Sequence, residues 1–185
     1  MTLLDWFEKG ASAQDYIESM EVNKETLLHI YNQYIPSGDA VQGMERLQGK
    51  GMKAVVLTAD WCGDAMVNVP IFLKLAQTAL MDVRFLIRDE NLELMDQYLT
   101  NGRARSIPII VFFDREGKEA GKWGPRADEI EALVTEWKKQ LPDPATDAYK
   151  EAFKTELIPK TRKLFQQKET WDKIEADMLQ TMSQL

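Results

Sequence analysis

Apolar residues recur along this chain in three rhythms. In residues 1–49 the spacing is helical. Leu27, Leu28, Tyr31, Tyr34 and Ile35 share one side of a helix that Pro36-Ser37-Gly38-Asp39 brings to a turn, and a second short helix runs through Ala40–Leu47. In the middle region short continuous apolar runs alternate with longer helical stretches. Ala54–Thr58, Val83–Ile87 and Ile109–Phe113 are rich in β-branched and aromatic residues and read as buried strands. Between them the pattern predicts helices over Gly63–Leu80 and Asn91–Leu99. After the third strand, Asp114-Arg115-Glu116-Gly117 predicts a hairpin turn into Lys118–Trp123. An amphipathic helix over Arg126–Leu141, with Ile130, Leu133, Val134 and Trp137, closes the region.

A parallel βαβ crossover followed by an antiparallel hairpin predicts a mixed sheet covered by helices. Pro142-Asp143-Pro144 ends this unit. Beyond it Tyr149, Phe153 and Leu157 repeat every four residues, and Trp171, Ile174, Met178, Met182 and Leu185 line one helical face. Such stripes need burial, so Tyr149, Phe153, Trp171, Ile174 and Met178 are expected inside, against the domain or a second copy. The expected organisation is a helical extension (1–49), an α/β domain (50–141) and a second helical extension (142–185).

Composition narrows the function classes. A chain of 185 residues with 44% hydrophobic and 29% charged residues is that of a folded globular protein. No eighteen apolar residues run together, so no membrane partner is expected. Met1-Thr2-Leu3-Leu4-Asp5-Trp6 has neither the basic stretch nor the apolar run of a secretory signal. The net charge of −7 argues against nucleic acid as a partner, and most of it (−5) falls in residues 1–49. A single cysteine, Cys62, rules out an intramolecular disulfide and fits a reducing cytoplasm. One Cys and one His (His29, in an apolar stretch that suits packing or surface) do not make a zinc site, so no metal and no cofactor are expected.

The chemistry concentrates where the first strand meets the first long helix, at Trp61-Cys62-Gly63-Asp64-Ala65. This order, with Pro70 eight residues after Cys62, Ile107-Pro108 opening the third strand and Lys122-Trp123-Gly124 ending the fourth, resembles the thioredoxin family over residues 50–141. The resemblance implies a thioredoxin-like α/β fold with a cis-proline at Pro108 packed against the active cysteine. It also implies a site at Cys62 as nucleophile, with Trp61, Gly63, Asp64, Ala65, Ile107, Pro108 and Gly124 contacting the substrate.

Three departures stand out. Ala65 replaces the family's second cysteine, Val56 its buried acid, and Asp64 the residue that is commonly proline. With no second thiol, a general dithiol reductase is excluded for the monomer. Cys62 at a helix N-terminus favours the thiolate, Asp60 and Asp64 oppose it, and Arg103 or Arg105 would offset them if turned inward. Two readings stay open. One is a monothiol redox protein that exchanges with a low-molecular-weight thiol or a protein disulfide. The other is a binding or adaptor module that has kept the groove and lost the chemistry, with the terminal helices as a surface for a partner or a second copy.

Overall fold

The three apolar runs and the hairpin become one four-stranded sheet in a computed structural model that describes all of residues 1–185. Its strands are β1 (Lys53–Thr58), β2 (Asp82–Ile87), β3 (Ile109–Phe113) and β4 (Glu119–Trp123), in the order β2-β1-β3-β4. β2 pairs parallel to β1, whereas β3 pairs antiparallel to both β1 and β4. The two central strands are buried along almost their whole length, which is why they read as unbroken apolar runs. Asp114 closes the β3–β4 hairpin, its Oδ1 accepting the backbone N–H groups of Glu116 (3.0 Å) and Lys118 (2.9 Å).

The N-terminal residues form α1 (Leu3–Lys9), α2 (Ala13–Ser19), α3 (Lys24–Gln33) and α4 (Gly38–Glu45). They join the sheet itself. Ala11 exchanges two backbone hydrogen bonds of 2.9 Å with Phe85 beside the β2 edge, and Tyr16 stacks on Phe85 at 4.6 Å between centroids. The Tyr16 hydroxyl then meets buried Thr58 at the end of β1 (3.2 Å). Burial pushes that phenol up to about 12. These contacts anchor the segment leading to Cys62 from below.

The long helix α5 (Gly63–Thr78) follows β1 and is buried over most of its surface, with Pro70 inside it. Downstream, the expected helix over Asn91–Leu99 shrinks to one turn, α6 (Leu92–Met95), after a 3₁₀ turn at Arg88–Glu90. The backbone tightens past Met95 into i→i−3 bonds, Gln97 to Leu94 and Tyr98 to Met95, so Leu94, Met95 and Tyr98 are all buried without a full helix.

Helix α7 (Asp128–Lys139) covers the far side, and the C-terminal residues form α8 (Asp147–Ala152), a π turn (Phe153–Leu157), α9 (Ile158–Leu164) and α10 (Lys168–Met182). α10 packs on α4, α5, α7 and β4 of its own chain. Its Trp171, Ile174, Met178 and Met182 are buried, each contributing about 1.5–3 kcal/mol of transfer free energy. Tyr149 and Phe153, expected inside, are only half-buried, and Phe153 on the π turn instead lines a pocket shared with Trp61 and Cys62. No helix is long and apolar enough to cross a membrane.

Candidate functional site

Strand β1 ends at Thr58 and the chain turns through Ala59–Trp61, which leaves Cys62 as the N-cap of α5 with extended backbone (φ −77°, ψ 118°). Its sulfur takes the place of a capping oxygen. Sγ accepts the Ala65 N–H at 3.4 Å, and the thiol donates to the Ile107 carbonyl at 3.3 Å. The first bond comes from an N–H that a helix leaves unpaired, and it favours negative charge on sulfur. Burial outweighs it. With 7% of its surface exposed, Cys62 is pushed up to about 11, first by loss of solvation and then by the charge of Asp64.

Asp64, in the first turn of α5, receives a two-pronged grip from Arg126, Nε to Oδ1 at 2.6 Å and an Nη to Oδ2 at 2.7 Å. The other Nη of Arg126 binds Glu131 on α7. Burial works against the Arg126 charge, and the hydrogen bonds to Asp64 and Glu131 outweigh it, so the guanidinium stays protonated throughout. Burial also raises the Asp64 carboxyl, against the pull of Arg126. The thiol therefore faces an ion pair whose near member is the carboxylate, and Arg126 relieves only part of its effect.

Neither cation expected to offset the flanking acids pairs with them, although Arg105 lines the cleft. Arg105 is engaged by Asp96 (2.6 and 2.9 Å) on the exposed rim, and Arg103 is exposed. Asp60 also turns away, its Oδ2 accepting the backbone N–H groups of Glu21 (2.9 Å) and Val22 (3.1 Å) before α3. The cation that does pair with Asp64, Arg126, stands 62 positions beyond it. The only sequence signal for it is that a carboxylate in the first turn of a buried helix needs a partner. Asn68 was equally hidden. It is 2% exposed in the middle of α5, and its Nδ2 donates to the Pro125 carbonyl at 3.1 Å, tying the turn after β4 to the helix.

The remaining sequence-predicted residues converge. Trp61 is half exposed, with the Arg88 guanidinium 4.8 Å from its ring centroid. Gly63 is half-buried beside it and Ala65 is buried under the loop. Ile107 and Pro108 are buried, joined by a cis peptide bond, and a second cis bond joins Gly124 to Pro125. Gly124 has φ +118°, and a Cβ there would stand 2.1 Å from the Pro108 carbonyl oxygen, so only glycine lets the two loops meet. Val56 is fully buried in β1, so no acid stands on that strand beneath the thiol. His29 is exposed on α3.

An open cleft of about 690 Å³ spreads from Trp61 and Cys62 across Ile107, Gly124 and Arg126. A smaller pocket of about 300 Å³ adjoins it, sharing Trp61, Cys62, Asp64, Arg126 and Lys138, and extends against α7, the π turn and α9. Cys62 lines both.

Comparison with known proteins agrees with this architecture. A family model described as thioredoxin matches residues 10–138. No curated protein matches the sequence. Among solved structures the chain is similar to a protein of unknown function from Pseudomonas aeruginosa, with a TM-score of 0.66 at 11% identity over 96% of this chain and 97% of that one. It is also similar to an HIV epitope scaffold, with a TM-score of 0.63 at 11% identity over 97% of this chain and 96% of that one. With more than half its length matched by the family model, the chain belongs to the thioredoxin family.

Proposed function

We propose that this thioredoxin-family chain carries out thiol–disulfide exchange through Cys62 alone, in a reducing cytoplasm, passing through a mixed disulfide that a second, soluble thiol resolves. The observation that carries this reading is the position of the sulfur. It caps α5, accepts the Ala65 N–H and lies where the open cleft and the smaller pocket meet. In the forward step Cys62 Sγ attacks one sulfur of a disulfide. The S–S bond breaks, a new S–S bond forms to Cys62, and the thiol proton leaves with the departing thiolate. The substrate disulfide is the oxidant. In the return step a free thiol attacks the substrate-derived sulfur of the mixed disulfide, and Cys62 leaves as thiolate and regains a proton.

The raised thiol gives this chemistry a distinct tempo. With burial and Asp64 pushing the thiol up to about 11, only a small fraction of Cys62 is thiolate at pH 7. A thiol of high pKa is also a poor leaving group, so both capture and release are slow and the adduct, once formed, persists. Trp61, Gly63, Asp64, Ala65, Ile107, Pro108 and Gly124 form the surroundings that would align the incoming disulfide. The 1–49 and 142–185 helices frame the 50–141 domain that bears the sulfur.

One observation favours a second reading, a groove that binds without reacting: the same burial and the same Asp64 that raise the thiol also protect it. Mass spectrometry after incubation with an oxidised small thiol separates the two. The exchange reading expects one adduct per chain at Cys62, reversible by excess reductant, and no turnover of a protein disulfide. An intact free thiol after long incubation favours the binding module, and efficient protein-disulfide turnover by the wild type would overturn the single-thiol mechanism.

A further inference from the structure

The smaller pocket beside Cys62 is built largely by residues outside the strands and helix that carry the cysteine. One wall is Trp61 and Cys62, and the opposite wall brings Phe153 and Leu157 from the π turn. Lys138 from α7 and Arg162 from α9 add positive charge beside the Asp64–Arg126 ion pair, which lines the pocket as well. The π turn is itself unusual, since a run of i→i+5 bonds is rare and tends to occur where function needs a side chain re-aimed. Neither Lys138 nor Arg162 takes part in any ion pair of the chain, although α7 carries Glu131 and Glu136. Beyond the Asp64–Arg126 pair that also lines it, the pocket carries two cations outside any ion pair, which on a chain of net charge −7 is complementary to one kind of occupant: a small anion with an apolar body.

We propose that this pocket binds the carboxylate-bearing half of a low-molecular-weight thiol or disulfide, with its carboxylate at Lys138 and Arg162 and its sulfur at Cys62. The inference rests on the exchange chemistry proposed above and names its substrate class. A volume of about 300 Å³ stands at the small end of ligand pockets, room for a compact thiol and too little for a folded protein's surface. The adjoining cleft of about 690 Å³, which Cys62 also lines, receives the departing half. The bonds are those of the exchange step: the ligand's S–S bond breaks, the retained half joins Cys62, and the other half leaves as thiol with the Cys62 proton. The C-terminal helices thus select small anionic disulfides at a groove that would otherwise be open to any partner.

The test uses the full chain and three small disulfides of similar length: 3,3′-dithiodipropionate (anionic), 2-hydroxyethyl disulfide (neutral) and cystamine (cationic). Rates of adduct formation at Cys62 are followed by mass spectrometry at low salt. The anionic disulfide should react about tenfold faster than the cationic one, against the repulsion of the chain's net charge. Raising the salt should compress that ratio. In the double variant Lys138→Gln/Arg162→Gln the anionic disulfide should lose its advantage. Equal rates for the anionic and cationic disulfides in the wild type, or an undiminished ratio in the double variant, would overturn the pocket assignment. If none of the three reacts, titration calorimetry with S-methylglutathione, an anionic thioether that cannot exchange, decides. Saturable binding that the double variant loses upholds the pocket and refutes the exchange chemistry, and absence of binding overturns the pocket as well.

Discussion

The two halves of the C-terminal segment are attached to the domain by different means. α10 is held by its apolar face and by two acidic side chains turned inward. Glu175 accepts hydrogen bonds from the Tyr34 hydroxyl and from the Ser37 N–H (2.9 Å), and Asp177 accepts from the Trp123 indole (2.6 Å) and the Asp128 N–H (2.9 Å). Burial and the Glu175 carboxylate together hold the Tyr34 phenol far above its usual range. The α8–α9 half buries Leu157 and Phe165 but leaves Tyr149 and Phe153 half-buried and Ile158 exposed. Its side-chain hydrogen bonds stay among residues 143–171, and Lys160 over the Trp137 ring (4.2 Å) is its cation–π contact with α7. The lesson is that adjacent helices of one extension serve different ends. α10 is part of the core, and the segment before it borders the cysteine.

The largest effect expected from that contrast is on stability. Ile174→Ala should cost about 2–5 kcal/mol, because the side chain is 1% exposed among well-packed neighbours and leaves a cavity. Urea unfolding measures this, and a cost below about 1 kcal/mol would remove α10 from the cooperative unit.

Next comes the thiol at the junction. Cys62 has its folded value raised from 9.0 to about 11, so the neutral thiol favours the fold. That stability is fully present below pH 9 and is lost as pH rises through about 11, since the unfolded chain releases its proton first. The wild type should therefore lose about 2–3 kcal/mol over that window relative to Cys62→Ala, which cancels the titration of the tyrosines. Matching pH profiles for the two proteins would show that the thiol is not shielded. Asp64→Asn sharpens the same point, because removing the facing carboxylate lowers the thiol and should speed iodoacetamide alkylation at pH 8.

Glu175→Gln tests the polar clamp of α10 at about 1–3 kcal/mol. The amide keeps one acceptor but sets an N–H₂ group near the Tyr34 and Ser37 donors, and a neutral result in thermal unfolding would mean that apolar packing alone holds the helix. The smallest stability change belongs to Phe153→Ala, within about 1 kcal/mol, since the ring is half-buried. Its effect should appear at Cys62 instead, as several-fold faster alkylation by a bulky maleimide; unchanged access would detach the π turn from the site.

Much of the fold was legible from local pattern. β1 and β3 read as strands because both of their faces are covered, and the Asp114–Gly117 hairpin was visible in its turn residues. The helix expected at Asn91–Leu99 is only one turn long, because its periodic apolar residues are buried equally well by that turn and a run of tightened bonds. Periodicity reports which residues face inward and says less about how the backbone carries them there. The half-exposure of Tyr149 and Phe153 escaped the pattern for a related reason, since a four-residue repeat does not state how deep a stripe lies.

By itself the sequence determined the chemistry's outer bounds. Ala65 and the solitary Cys62 confine any redox step to one sulfur, and the Trp61-Cys62-Gly63 segment and Gly124 line the cavities around it. Only the tertiary structure decided the state of that sulfur. Arg126 reaches Asp64 from 62 positions away, Arg105 is taken by Asp96, and Asp60 turns to the N-terminal segment. A thiol's proton affinity depends on burial and on charges gathered through space, and neither is set by the residues next to it in the chain.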